Sequence, residues 1–303
     1  SDGTGDTYTS ATYYTVAGGT TLYAIWTNHV YTITLDAQSG VVTPSTYDVT
    51  YLDVVGTLPT PTRDGYDFGG WNTASNGTGD YYEASTTYSE TNDITLYAQW
   101  TARTDTAYTV QYYLMDTNGT TYTMETPVTT EHGTTDTTAN ATITSFTGFT
   151  YDSLNANNVT SGTILGDGSL ILKVYYSRNQ YTVTFKDYDD SVLKTEYVLY
   201  QNDATAPADP SRTGYTFTGW DKTFTGVTAN MTVNAQYTAI EYVIGFDAQG
   251  GEVTPATKTV IYDQQVGTLP TPTKAGYDFD GWNTASDGTG DTYTSATYYT
   301  VAG

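Results

Sequence analysis

The chain repeats itself at two lengths at once. Eighteen residues, SDGTGDTYTSATYYTVAG, occupy Ser1–Gly18 and return unchanged at Ser286–Gly303, 285 residues later. Self-similarity at a fixed period settles architecture before single residues do, because each repeat is one supersecondary unit that buries its apolar face with its neighbours. A shorter period runs beneath. The pattern G-Y-x-F-x-G-W occurs at Gly65–Trp71, Gly214–Trp220 and Gly276–Trp282. A closing motif ends at Trp26 (LYAIW), Trp100 (LYAQW), Tyr176 (LKVYY) and Tyr237 (VNAQY), in steps of 74, 76 and 61 residues. A further 74 completes the long cycle, so four modules fill it. Both ends of the sequence fall inside a module. The expectation is a window on a longer array. The competing reading is subunits joined head to tail, with Gly19–Trp26 completing a module of the preceding copy.

Each module opens on alternating residues: YTITLDA from Tyr31, YTVQYYL from Tyr108, YTVTFKD from Tyr181 and EYVIGFDA from Glu241. Alternation of period two predicts a strand with one buried face, as Tyr181, Val183 and Phe185 would share one side. A turn such as AQSG and a second run, VTYLDVV or KTVIYDQQV, predict a β-hairpin. The TLPTPT stretch cannot be a central strand, because proline donates no ladder hydrogen bond, and is expected to cross over extended. The closing motif then supplies a returning strand. All five tryptophans (Trp26, Trp71, Trp100, Trp220, Trp282) lie at signature positions and are read as packing residues, each burying on the order of 150–250 Å2. The glycines beside them supply positive φ or room for the rings. Linkers such as TNHV, TARTDTA, SRNQ and TAIE are short and neither Gly/Ser-rich nor Pro-rich, so neighbouring modules should touch.

Composition narrows the function. Thirty-three acidic against ten basic side chains give a formal charge of −23, which repels nucleic acid and anionic lipid. There is no cysteine, hence no disulfide, thiolate site or cysteine nucleophile. No run approaches the roughly 18 apolar residues of a membrane span. Thirty-one tyrosines, with abundant threonine and valine, favour strands. The two histidines, His29 and His132, have no Ser/Asp partner nearby in sequence, and no catalytic, cofactor or metal residues are assigned. Asp187, Asp189 and Asp190, with Asp105 at a junction, offer oxygen ligands for calcium but lack the EF-hand pattern. Lys173 and Lys186 do not read as buried crosslinking lysines. N-x-T sequons stand at Asn76, Asn118, Asn140, Asn158 and Asn230.

The motifs YTITLDAQSG, GTLPTPTRDGYDFGGWNT and LYAQW make residues 28–102 and 239–303 resemble the Listeria–Bacteroides (internalin B-type) repeats. Residues 180–238 resemble a shortened member, and 1–27 the C-terminal part of another. Residues 103–179, with YTVQYYLMDTNGTTY and SGTILGDGSLILKVYYS, resemble a MucBP domain. The resemblance implies a mainly β chain of tandem, small β-grasp-like modules in an elongated rod or fibre. It implies a non-enzymatic, extracellular cell-surface protein acting as a stalk or filament, with a mucin- or glycan-binding adhesin as the alternative. Expected partners are neighbouring repeats of the same chain or identical chains head to tail, and host or environmental glycans in the second reading. Neither nucleic acid nor membrane insertion is expected.

Overall fold

The computed structural model describes residues 4–13, 15 and 17–301. Among them there is no α-helix; the ordered segments are strands and turns, as the composition and alternation predict. Contacts gather the chain into two units. The first holds Ser1–Tyr112, Met124–Ile143 and Leu154–Val174; the second holds Tyr113–Thr123, Thr144–Ser153 and Tyr175–Gly303.

The first unit is built on one complete module. Its strands are β1 (Val30–Asp36), β2 (Thr46–Thr50), β3 (Tyr66–Asn72), β4 (Tyr81–Tyr82) and β5 (Ile94–Ala102), ordered β2-β1-β5-β3-β4. β1 and β2 form an antiparallel hairpin, Tyr31 facing Val49. β5 then returns between the hairpins, parallel to β1 (Leu35 with Leu96) and antiparallel to β3 (Phe68 with Trp100). A parallel pair requires a long crossover, and residues 57–62, the TLPTPT stretch, form no strand, Thr62 making only an isolated bridge to Val41. Alternation places Ile33 and Leu35 inward, where they pack with Val49, Val55, Trp71, Tyr88, Leu96 and Ala98. This core fixes the register, since a slip of one residue would turn Ile33 and Leu35 to water.

The predicted second hairpin strand needs correcting. The run VTYLDVV is not one strand: β2 stops at Thr50, and Tyr51–Leu52 turn a corner where Leu52 adopts φ of 66°. Left-handed backbone cannot continue a pleated strand. The same holds for KTVIYDQQV, where the strand ends at Ile261 and Asp263 has φ of 56°.

Residues 103–179 contribute to both units. They carry β6 (Thr106–Met115), β7 (Tyr122–Met124), β8 (Thr129–Gly133), β9 (Thr138–Asn140), β10 (Phe149–Tyr151), β11 (Ser161–Thr163) and β12 (Ile171–Arg178). In the first unit β6 pairs β8 antiparallel, Thr106 with Gly133 and Val110 with Thr129, and β9 pairs β11. Val110, Ala139, Ile164 and Leu172 form the core there. In the second unit β10 pairs the end of β12, Tyr151 with Tyr176. Tyr113 stacks on Tyr175 at 4.6 Å between ring centres.

The second unit also contains β13 (Gln180–Lys186), β14 (Val192–Leu199), β15 (Tyr215–Trp220) and β16 (Met231–Ala239), ordered β14-β13-β16-β15. The pairings repeat those of the first module, with β16 parallel to β13 and antiparallel to β15. Val183, Phe185, Val198, Ala204, Val227 and Val233 make its core. Last come β17 (Glu241–Gly245), β18 (Thr257–Ile261), β19 (Trp282–Asn283) and β20 (Thr292–Tyr293). They form two separate two-stranded sheets, β17-β18 and β19-β20.

Candidate functional site

Where one module follows another, the meeting is built the same way three times. One residue follows each closing strand. Its N–H reaches back to the glycine before the aromatic of β3, β10 or β15: Arg103 to the Gly65 carbonyl, Asn179 to Gly148 and Ile240 to Gly214, each at 2.9 Å. Its own carbonyl accepts from the corner of the next hairpin, from Thr135 N–H at 3.0 Å, Tyr200 at 2.8 Å and Tyr262 at 3.0 Å. The residue after each corner is left-handed: Asp136, Gln201 and Asp263, with φ of 64°, 63° and 56°. Linker, glycine and corner thus form a continuous clasp of main-chain hydrogen bonds.

Side chains close the clasp. The Tyr262 ring lies directly on Gly214, so that a Cβ at position 214 would collide with it, and Tyr200 covers Gly148 likewise. Gly214 also sits at φ of 77°, where only glycine is unstrained. At the first joint a threonine replaces the tyrosine: the Thr135 hydroxyl donates to the Gly65 carbonyl at 2.8 Å and meets the Thr106 hydroxyl at 2.7 Å. Tyr66 donates its hydroxyl to the Asp136 carboxylate, which raises the pKa of that phenol. The equivalent Tyr215 hydroxyl donates to Asp263 at 3.3 Å. The second joint has Phe149 and uses Arg178 instead, whose guanidinium donates to the carbonyls of Met115 and Tyr200, both at 2.7 Å. Asn202 adds a bond to the Thr117 carbonyl at 2.8 Å.

The aromatic motif inside each module explains its own spacing. In β3 the ladder with β5 skips a residue between Phe68 and Gly70, and in β15 between Phe217 and Gly219. This β-bulge brings residues three apart onto one face. Phe68 therefore meets both Trp71 and Trp100 edge-on, with centroids at 5.5 and 5.6 Å. Gly70 supplies the φ of 123° that the bulge needs. The basic residue three before the tyrosine caps its ring: Arg63 lies 3.7 Å from the Tyr66 centroid, Arg212 3.6 Å from Tyr215, and Lys274 4.6 Å from Tyr277. The ring carries a negative face that attracts such cations.

Four of the five tryptophans pack as expected. Trp71 and Trp282 donate to the carbonyls of Pro59 and Pro270, and Trp100 to Ala37. Trp220 packs against Phe185 and Phe217. Trp26 is 87% exposed, and among the described residues no strand pairs with residues 21–29.

The polar candidates stay apart. His29 is exposed, its carbonyl accepting from Tyr51 N–H at 2.8 Å, and His132 is exposed on β8 opposite Ala107. Asp187, Asp189 and Asp190 lie in the turn between β13 and β14, where each has a local partner. Asp187 accepts from the Tyr237 hydroxyl at 2.6 Å, Asp189 from Ser191, and Asp190 pairs with Lys186 at 3.4 Å. Asp105 is bridged by Arg103 at 3.0 Å, which lowers its pKa. Among the described residues no group of three or more His, Asp or Glu is placed to hold a metal ion. Of the sequon asparagines, Asn230 accepts the Thr182 N–H at 2.8 Å, as Asp93 accepts that of Thr32, while Asn76 and Asn118 accept N–H groups of their own turns from Thr78 and Thr120.

The sequence matches the Listeria-Bacteroides repeat domain over residues 31–99, 181–240 and 242–303, more than half of the chain. It is 30% identical over 305 residues, 93% of its length, to a protein of Evansella cellulosilytica provisionally named a Gly-rich membrane protein. A second protein of that organism, provisionally named a membrane protein, is 30% identical over 90% of the chain. Internalin H of Listeria monocytogenes is 37% identical over 93 residues, 27% of the chain and 16% of the internalin. The chain spans 34% and 42% of the two Evansella proteins, less than half the length of either.

Proposed function

Because this chain belongs to the Listeria-Bacteroides repeat family, we propose that it is a spacer segment of a cell-surface repeat protein, setting the reach and stiffness of whatever the protein displays. One observation carries the reading: the clasp of linker, glycine and corner is built alike at Arg103, Asn179 and Ile240. A catalytic or ligand-binding role requires one specialised site, whereas a spacer requires the same joint repeated. Each linker residue is bonded on both sides, so adjacent modules are coupled through a few backbone bonds rather than hung on a flexible tether. The negative charge fits a surface that limits nonspecific sticking. Membrane and internalin names among its relatives support a place at the cell envelope.

The test is mechanical and topographical. Immunogold labelling of intact producing cells is expected to decorate the surface. Small-angle scattering of the chain is expected to fit one averaged conformation, becoming that of a hinged ensemble in Gly148→Val or Gly214→Val. An interior label, or scattering unchanged by both substitutions, overturns the spacer reading. Saturable binding of the chain on a glycan array, lost on substituting Tyr113 or Tyr122, would favour the adhesin alternative centred on residues 103–179.

A further inference from the structure

One loop of the repeat is built twice, with asparagine at a key position in one copy and aspartate in the other. At the end of β3, Asn72 pins the loop by donating to the carbonyls of Gly77 and Gly79 at 3.5 and 2.9 Å and accepting from Ala74 N–H at 2.8 Å. At the end of β19, Asn283 does the same with Gly288 and Gly290, at 3.3 and 2.9 Å, and with Ala285 at 2.9 Å. Asn76 and Asp287 then hold the same place. Asn76 Oδ1 accepts from the Thr78 N–H at 3.1 Å and hydroxyl at 2.7 Å, and Asp287 Oδ1 accepts from those of Thr289 at 3.0 and 2.6 Å. Glycine follows in both, at φ of 75° and 78°, backbone that any side chain would strain. At Gly77 a Cβ would also stand 2.8 Å from Gln99 Oε1. The loop thus needs a side-chain oxygen, then glycine, then threonine. Asparagine meets that need in a reactive form, because glycine leaves its own main-chain nitrogen unhindered beside the amide.

We propose that Asn76 is a modification site, at which the side-chain amide is lost after synthesis and aspartate takes its place. The Gly77 nitrogen attacks Asn76 Cγ and gives up its proton to water. The Cγ–Nδ2 bond breaks, ammonia leaves, and a cyclic imide remains. One water then opens the imide: cleavage of the new Cγ–N bond gives aspartate, and cleavage of the original peptide bond gives isoaspartate. No oxidant or reductant is needed. The oxygen that gains charge during attack already accepts two hydrogen bonds from Thr78, as in an oxyanion hole. Asn76 is exposed, and among the described residues nothing accepts from its departing Nδ2. Asp287 shows that the loop accommodates the product with its bonds intact.

The same tripeptide, Asn-Gly-Thr, stands at Asn118–Thr120 in a different setting. Asn118 Nδ2 donates to Thr121 Oγ1 at 2.8 Å, and the Thr121 hydroxyl donates to Asp116. Loss of ammonia there breaks the first bond and sets a second carboxylate in a turn that already holds one. The glycine N–H donates to the carbonyl three residues back in both turns, to Ala74 and to Asp116, each at 3.0 Å, so that restraint is common to the two. Structure alone separates the fates of two identical tripeptides, and the inference is independent of the spacer reading.

The experiment incubates the whole chain under mildly alkaline conditions, folded and in urea, and follows each amide by peptide mass mapping that resolves aspartate from isoaspartate. In urea the two sites are expected to react at the same rate. In the folded chain Asn76 should react at least about fivefold faster than Asn118, the factor that one ordinary hydrogen bond is worth. Thr121→Val, at an exposed position, removes the acceptor and should raise the Asn118 rate by about that factor. Aspartate should make up a larger share of the product in the folded chain than in urea, since isoaspartate lengthens a main chain pinned at Ala74 and Gly79. Asn76→Asp should keep the parent's urea midpoint. A smaller folded ratio, or an Asn118 rate indifferent to Thr121→Val, overturns the proposal. So does a product share unchanged by folding, or a lowered midpoint in Asn76→Asp.

Discussion

Asn72 shows how much one side chain can organise. It is fully buried, donates to the Gly79 carbonyl at 2.9 Å and accepts from Ala74 and Gly79 N–H at 2.8 and 3.1 Å, holding the loop after β3. Asn72→Ala strands those groups and should cost about 2–3 kcal/mol, read as a fall in urea midpoint at unchanged slope. Glycine substitutions separate strain from contact. Gly276→Ala meets only the backbone cost of left-handed φ, about 1–2 kcal/mol, whereas Gly214→Ala adds the collision with Tyr262 and should melt several degrees lower. Tyr88 has no exposed surface, and burial pushes its phenol from 10.0 to about 12; burial first, then the bond to Asp187, does the same for Tyr237. A raised phenol pKa favours the neutral, folded form. Its contribution is complete below pH 10.0, where the unfolded chain also keeps the proton, and is lost as pH climbs to about 12. Alkaline unfolding followed by circular dichroism should therefore begin above pH 10.0, and Tyr88→Phe should move its onset upward. Stability that stays flat up to about 12 would refute this assignment.

At the scale of the element, the bulge in β3 gives the sharpest expectation. Deleting Gly69 would restore regular pairing with β5 and leave Phe68 and Trp71 two residues apart, still on one face, whereas deleting Gly69 and Gly70 together would make them neighbours on opposite faces. The Trp71 indole, 3% exposed in the intact chain, should keep its emission wavelength in the single deletion but emit at longer wavelength in the double one, whose cost should approach the roughly 3–5 kcal/mol of losing a buried aromatic. Much at this scale was legible in sequence. Strict alternation in YTVTFKD placed Val183 and Phe185 inside, and the two prolines of TLPTPT excluded a central strand there. The bulge was not legible as such, because period-two reasoning assigns Phe68 and Gly70 to one face, and only the recurring gap of three to the tryptophan hints otherwise. Tyr51 was misread as mid-strand for a related reason. Alternation carries straight through VTYLDVV, while the turn rests on a left-handed Leu52 that no glycine or asparagine announces. The clasps were invisible for a deeper reason: their hydrogen bonds join main-chain atoms, and the linkers ARTDTA, SRNQ and TAIE share no pattern.

For the whole molecule, charge is the term composition controls. With a formal −23 and three ion pairs found among the described residues, repulsion between carboxylates opposes compactness. Raising ionic strength from about 0.01 to 0.15 M shortens the screening length from roughly 30 to 8 Å. The thermal midpoint should rise by a few degrees over that range, measured by calorimetry; a midpoint independent of salt would show that the charges are already well separated. The joints lead elsewhere. Arginine, asparagine and isoleucine hold the same linker place, each using only the peptide groups that every one of them possesses. A gene segment coding for one module can therefore be duplicated, deleted or exchanged for a diverged cousin, and the new boundary closes without compensating mutation at the linker. Heredity can edit the length of such a protein by recombination, much as a sentence is lengthened by adding clauses.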